Sequence, residues 1–444
     1  MLSGLFMLLA FEAVSVQAPP PPQTQLGCPG SRVTRPLTFN YDGTFQISIF
    51  NDLHFGESRC LLAGPCRTAC KSGLIAWPDA WDSWGPQQDI NSVKVINEVL
   101  DRESPGLVVL NGDLITGENT FRENSTVYID QLVRPMLQRG LQWAASYGNH
   151  DHDFNISAEA ILAREQRWPN ALTRSMVPGR LAGVSNYYLP VYPPECDNCG
   201  CAPEMLLWFF DSRGGFYYQE RNADGTRRGM PGWVDTSVVD WFRATNAGIT
   251  ARFGKAIPSL AFVHIPTNAS LALQMEHGRD SINPNLQPGI NDDYPLAQQG
   301  QGWCSDGRND GSCAYGGQDV PFMQALVTTP GLIAVFSGHD HGDTWCYKWD
   351  HLVPGMTVAG NGVNLCFGQH SGYGGYGHWI RGSRQVRVSR EILNKSWEAE
   401  TWIRLESGNV VGSVCLNATY GKDLYPATPN DMTYCPTCNY RTNA

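Results

Sequence analysis

Beyond its first eighteen residues the chain has no apolar run approaching the roughly 18 residues that cross a bilayer, so stable membrane insertion of the mature protein is not expected. Positive charge is in deficit as well. Asp and Glu number 42 against 32 Lys and Arg, a formal charge of -10, and the sequence pI is near 5.5. Nucleic-acid backbones and anionic membrane surfaces select basic faces, so neither is expected as a partner. No internal repeat or heptad is present, and the only biased tract is the short run Pro19 to Pro22. A chain of 444 residues can bury a large core, and one main domain is the economical reading.

Cysteine is plentiful, with fourteen residues, and its distribution bears on compartment. Met1 to Ala18 carries the apolar stretch Leu2 to Phe11 and a small-residue cleavage site at Val16-Gln17-Ala18, which reads as a secretory signal without a basic n-region. In a secreted chain the cysteines read as disulfides; the groupings Cys60/Cys66/Cys70, Cys196/Cys199/Cys201 and Cys435/Cys438 leave a zinc reading as the rival. Sequons at Asn124, Asn155, Asn268, Asn394 and Asn417 agree with passage through a eukaryotic secretory route. The expected organisation is a signal at 1–18, a stiff Pro-rich lead at 19–40, a catalytic domain at 41–420 and a Cys-containing tail at 421–444. The destination would be extracellular, or vacuolar through the same route.

Polar residues cluster at the ends of apolar runs. Phe45 to Phe50 alternates as a strand and is followed by Asp52-Leu53-His54. Ile90, Val93, Ile96 and Leu100 recur at helical spacing, and Leu107 to Leu110 then leads into Gly112-Asp113. A helix from Tyr128, expected to be disturbed near Pro135, precedes a strand at Leu141 to Tyr147 ending in Gly148-Asn149-His150-Asp151. Met205 to Phe210 ends at Asp211, read as a structural partner or cap. Asp235 is placed to cap a helix. Ser259 to Val263 delivers His264, and Leu332 to Phe336 delivers Gly338-His339-Asp340-His341. Strand, helix and strand in repeated order give an α/β class. The irregular stretch from Asn268 to Gly317 is expected to wall a pocket, and Val386 to Val414 to form antiparallel strands.

Any one of these His or Asp residues is, alone, more often a satisfied polar group or a cap than a ligand. Together they offer oxygen and imidazole donors, which suit a metal that must bind water and polarise a phosphoryl oxygen. Two such metals need one shared carboxylate.

The order Asp-x-His, Gly-Asp, Gly-Asn-His-Asp, lone His, Gly-His-x-His resembles the calcineurin-like metallophosphoesterases, and within them secreted fungal proteins similar to purple acid phosphatases. The resemblance spans about Phe45 to Arg381. It implies a sandwich of two mixed β-sheets flanked by helices, and two divalent or trivalent ions, with Fe, Zn or Mn most plausible. Asp52, His54, Asp113 and His341 would hold one; Asp113, Asn149, His264 and His339 the other. His150 would face the leaving group as the catalytic residue. The implied activity is hydrolysis of a small phosphate ester, most naturally a monoester, by in-line attack of metal-bound hydroxide. The alternatives are a phosphodiesterase acting on nucleotides or lipid headgroups, and a silent secreted glycoprotein of the same fold. Thr116 stands where purple acid phosphatases carry a tyrosine, so no iron-tyrosinate colour is expected. The Gly-rich stretch from Gly368 to Gly382 offers Arg381 and His378 to substrate, or else is a turn with no ligand. Asp151 and Asp340 are candidates for orienting histidines.

Overall fold

The computed structural model describes residues 35–57, 85–196, 201–302, 304 and 313–433. The signal and most of the Pro-rich lead, the Cys60/Cys66/Cys70 grouping and the last cysteine pair lie outside them.

In the first half, β1 (Leu37–Thr38) and β2 (Thr44–Phe50) precede α1 (Gly85–Arg102), β3 (Leu107–Asn111), α2 (Tyr128–Arg139), β4 (Trp143–Ser146) and α3 (Ala158–Glu165). Then come β5 (Tyr187–Tyr192), β6 (Met205–Phe210) and the hairpin of β7 (Phe216–Arg221) and β8 (Arg227–Gly229). The second half has α4 (Thr236–Phe253), β9 (Ser259–Val263), α5 (Asn268–Met275), β10 (Glu276–Arg279), α6 (Val320–Thr328) and β11 (Leu332–Ser337). It closes with β12 (Cys346–Trp349), β13 (Val363–Phe367), β14 (Gly382–Ser389), α7 (Arg390–Leu393), β15 (Ala399–Leu405) and β16 (Val410–Leu416).

The strands make two large sheets. One has six strands in the order β16-β15-β14-β2-β3-β4, the other seven in the order β1-β5-β6-β9-β11-β13-β12. Both are mixed: β2, β3 and β4 pair in parallel while β14 joins β2 antiparallel, and β6, β9, β11 and β13 are parallel beside the antiparallel edge strand β12.

The central strands β3, β6, β9 and β11 are buried along their whole length and almost wholly apolar because both faces of the sheet are covered there. Along β3, Leu107 and Val109 point into the seam between the sheets, where they join Ile47, Ile49, Leu207, Phe209, Phe262 and Phe336. Val108 and Leu110 point the other way, onto Ile96 and Val99 of α1 and Leu132 and Met136 of α2. The seven-stranded sheet repeats the arrangement, with Leu206, Trp208 and Phe210 packed on Val238, Phe242, Phe322 and Leu326. Phe262, fully buried in the seam, is a keystone; its truncation to Ala should cost about 3–5 kcal/mol.

Asp235 does cap its helix, accepting from Ser237 N, and the C-terminal strands extend the six-stranded sheet. Other expectations need correcting. Pro135 lies inside α2 without ending it. The stretch Asn268 to Gly317, expected to be irregular, holds the helix α5 and the short strand β10.

Candidate metal centre and active site

Five parallel strands, β2, β3 and β4 from one sheet and β9 and β11 from the other, end at one rim. Asn111 ties the rim together by donating from Nδ2 to Phe336 O, 3.1 Å away. Just past the strand ends the backbone turns sharply. Asp52, His54, Asp113 and His339 have φ of 54°, 47°, 51° and 75°, a left-handed region that costs a non-glycine residue on the order of 1–3 kcal/mol. Such strain persists only where surrounding structure enforces it. Two glycines permit the crowding that follows: a Cβ on Gly112 would come within 2.3 Å of the His264 ring, and one on Gly148 within 2.2 Å of Asp113 Oδ1.

Six of the seven expected ligand residues come together in two groups. Asp52, His54 and His341 have donor atoms within 4.8 Å of one another, as do Asp113, His264 and His339. Asp113 Oδ2 lies 2.9 Å from His264 Nε2 and 3.8 Å from His54 Nε2, between the two groups. Asn149 adds a buried Oδ1 with no hydrogen-bond partner.

The outer nitrogens of three rings decide what the inner ones present. His264 Nδ1 faces the Asn111 carbonyl at 2.9 Å and His341 Nδ1 the Tyr376 carbonyl at 2.9 Å. A carbonyl only accepts, so each Nδ1 carries a hydrogen and each neutral ring turns a bare Nε2 lone pair inward. His54 Nδ1 meets Thr116 Oγ1 at 3.0 Å, and that hydroxyl donates to Glu57 Oε1, so His54 is fixed the same way. His54 Nε2 then lies 3.2 Å from His341 Nε2. Two lone pairs facing at that distance repel, and His264 Nε2 is buried with no aligned hydrogen bond. A cation between them resolves both problems, so the donor set fits metal ions.

Without a metal, His54, His339 and His341 are held neutral, while His264, set between two carboxylates, keeps a proton that a bound cation would displace. Burial, then the neighbouring His150, pulls His54 down to about 3; burial, then His264, does the same to His339. His341 is also held well below the usual range by burial and His54. Burial would lower His264 too, but the Asp113 and Asp52 carboxylates outweigh it and raise it to about 9. Burial pushes Asp52 up to about 6. Asp113 is opposed by burial yet held well below its ordinary value by His264 and His150.

His150 differs from its neighbours. Its ring is a third exposed, with Nε2 4.0 Å from Asp113 Oδ2 and Nδ1 2.6 Å from Glu118 Oε1. It lines a cleft of about 250 Å³ with His54, Asp113, Glu118, His339, His341 and Tyr376. Burial works against its charge, but Glu118 and then Asp113 raise His150 well above the ordinary histidine value.

Arg381 and His378 do not meet the substrate-facing expectation: neither is among the residues lining the cleft. Arg381 is fully buried and spends its guanidinium on the Trp379 and Gly377 carbonyls of its own loop, while the His378 carbonyl accepts from Thr433 N. The loop still reaches the site through Tyr376, whose ring stacks on His341 at 4.0 Å and whose hydroxyl accepts from His341 N and donates to Asp293. Asp151 orients no histidine; its carboxylate clasps the two ligand loops by accepting from Leu114, Ile115 and Gly148 N. Asp340 accepts from Ala297 N. Sequence reasoning missed Glu57, Glu118 and Tyr376. Each is a lone polar residue outside the strands and α-helices, Glu118 in a single 3-10 turn, and only the spacing of Glu57 three residues after His54 hints at contact.

A family model described as calcineurin-like phosphoesterase matches residues 45–343. Among curated proteins, the chain is 25% identical over 399 residues to "Probable inactive purple acid phosphatase 14" of Arabidopsis thaliana, covering 84% of each. It is 25% identical over 380 residues to "Phosphatase DCR2" of Saccharomyces cerevisiae, covering 82% of this chain and 54% of that protein. Among solved structures, a dimetal phosphatase from Danio rerio aligns with TM-score 0.45 at 10% identity, covering 84% of this chain and 98% of that one. A purple acid phosphatase from yellow lupin seeds aligns at 0.41 and 12%, covering 86% and 54%.

Proposed function

We propose, from the premise that this chain belongs to the calcineurin-like phosphoesterase family and is a metal-dependent phosphoric ester hydrolase, that it is a phosphomonoesterase of the secretory route. The observation that carries this is the set of three imidazoles whose Nδ1 atoms are tied to outside partners, so that their Nε2 atoms all turn toward the Asp52 and Asp113 carboxylates. Asp52, His54, Asp113 and His341 would hold one ion, and Asp113, Asn149, His264 and His339 a second. Metals held there would supply Lewis acidity toward the phosphoryl oxygens and the activated nucleophile.

The chain's own groups do the rest. His150, kept charged by Glu118, gives its proton to the departing alkoxide oxygen. Thr116 and Tyr376 hold His54 and His341 at fixed tautomers, so the donors need no rearrangement on binding. The cleft of about 250 Å³ suits a terminal phosphoryl group, and a larger cavity beside it gives room for a leaving group. The disulfides Cys196–Cys201, Cys304–Cys313 and Cys346–Cys366 support an oxidising compartment. Cys415 is a free thiol among the described residues, and no helix among them is long and apolar enough to cross a membrane.

Some relatives are named inactive. In this chain the strained backbone at four ligand positions supports turnover, since a purely structural role gains nothing from that cost. Metal analysis of the purified protein is expected to give close to two ions per chain, with monoesters hydrolysed in preference to diesters. Asp113→Asn should lose metal and activity together, because it removes the counter-charge shared by both ions. Two bound metals with no hydrolysis of either ester class would sink the catalytic reading and leave the silent glycoprotein.

A further inference from the structure

We propose that the cavity beside the metal cleft receives the leaving-group side of a small phosphate ester bearing a second phosphate, and that Arg227 anchors that second group. This rests on the phosphoesterase reading above and adds to it a substrate class. The cavity, about 600 Å³, shares Glu118, His150, Ala297 and His339 with the smaller cleft. The two therefore adjoin, with the proton donor His150 lining both. Its volume falls within the range of small-molecule sites.

Arg227 is the one Lys or Arg among the described residues lining either part. Its guanidinium lies over the Phe154 and Phe216 rings at 5.4 and 5.7 Å and 3.5 Å from Asp153 Oδ1. It makes no side-chain hydrogen bond with a described residue. A planar group with five donors, held by two ring faces and one long ion pair, is set up for forked contact with phosphate oxygens.

Arg227 is also fixed relative to the metal ligands. The turn before its hairpin packs directly on the Asn149 loop: a Cβ on Gly215 would come within 1.9 Å of His152 O and one on Gly214 within 2.8 Å of Asn149 Cβ. Phe216 N donates to His152 O at 2.9 Å and Gln219 N to Phe154 O at 3.1 Å. Two phosphate-attracting centres on one rigid frame select for the distance between two phosphates.

The test uses metal-loaded, full-length protein and pairs of alkyl esters, a monophosphate and the bisphosphate of the same chain, with spacers of increasing length. At the best spacer the bisphosphate should be preferred in kcat/KM by about tenfold or more, the scale of one charge-assisted contact. Arg227→Gln should collapse that preference ratio and Arg227→Lys should restore part of it. Equilibrium binding of the matching non-hydrolysable phosphonates should give the same ratio and the same loss. Absence of any preference at every spacer, or a preference that survives in Arg227→Gln, overturns the proposal. If neither ester is turned over, the phosphoesterase reading falls separately, and the phosphonate binding ratio still accepts or rejects the subsite.

Discussion

His150 and His152 leave the same turn, and each is in close contact with one carboxylate. His150 Nδ1 meets Glu118 at 2.6 Å, and its ring opens on the cleft. His152 Nε2 meets both oxygens of Asp211 at 3.0 Å, with 4% and 0% of the two side chains exposed. Asp211 also accepts from Val184 N and Arg213 N, so it fastens the Asn149 turn to the end of β6. Both histidines are shifted the same way: burial disfavours the charge, and the partner carboxylate more than offsets it. Identical chemistry therefore gives a proton donor on one side and a rivet on the other. Access to a reacting atom, not the ion pair itself, separates the two.

The comparison breaks most clearly at His150. His150→Ala should keep both metals and its melting temperature while kcat for alkyl esters falls about 10²- to 10⁴-fold. The fall should be smaller for nitrophenyl esters, whose leaving group needs little help from a proton. Loss of metal, or equal slowing of both ester types, would make His150 a structural or substrate-positioning residue.

At the buried pair the expectation inverts. Asp211→Asn should cost about 3–5 kcal/mol of stability, as when one partner of a buried ion pair is removed, with kcat per folded molecule largely retained. The sign with pH follows from both shifts. His152, raised, contributes stability fully present below its unfolded value and lost as pH rises through the folded one. Asp211 is lowered, burial being outweighed by His152, so its contribution is present above its unfolded value and lost as pH falls through the folded one. The gap between wild type and Asp211→Asn in denaturant titrations should be widest from about pH 4 to 6.5, between the two reference values, and narrow toward alkaline pH. A variant that is stable but slow would reverse the roles assigned to the two pairs.

Much of this is legible in the chain because β3, β9 and β11, buried on both faces, read as continuous apolar runs and β2 reads as an alternating strand. The polar residues at the exits of β2, β3, β4, β9 and β11 stand out against them, and the glycines ahead of Asp113, Asn149 and His339 mark close approach. The short strand β12, with Tyr347 and Lys348 between Cys346 and Trp349, shows no such run; its burial comes from β13 across the Cys346–Cys366 bridge. Arg381 was misread for a related reason. A guanidinium in a Gly-rich loop can serve phosphate or the loop's own carbonyls, and only the folded path of 377–379 shows which. Glu57 and Glu118 carry no periodic signal, since a single carboxylate acquires its role only when the intervening fold brings a distant partner near, as Thr116 and Asn119 come to Glu57 and His150 to Glu118.

Glu118 sharpens the comparison further, with the smallest expected effect. Glu118→Gln keeps the shape of the side chain and removes the charge that holds His150 protonated. The apparent pKa of His150 must then fall. Metal ions nearby would lower it in wild type and variant alike, so the sign of the difference is preserved. The alkaline limb of kcat for alkyl esters should move to lower pH, and kcat above neutrality should drop by about tenfold, the scale of one charge-assisted hydrogen bond. At acid pH the two enzymes should converge, because His150 is charged in both. Nitrophenyl esters should show little change at any pH, and metal content should match wild type. Had Glu118 only a packing role, as Asp211 has at His152, the variant would lose stability and leave the alkaline limb where it was.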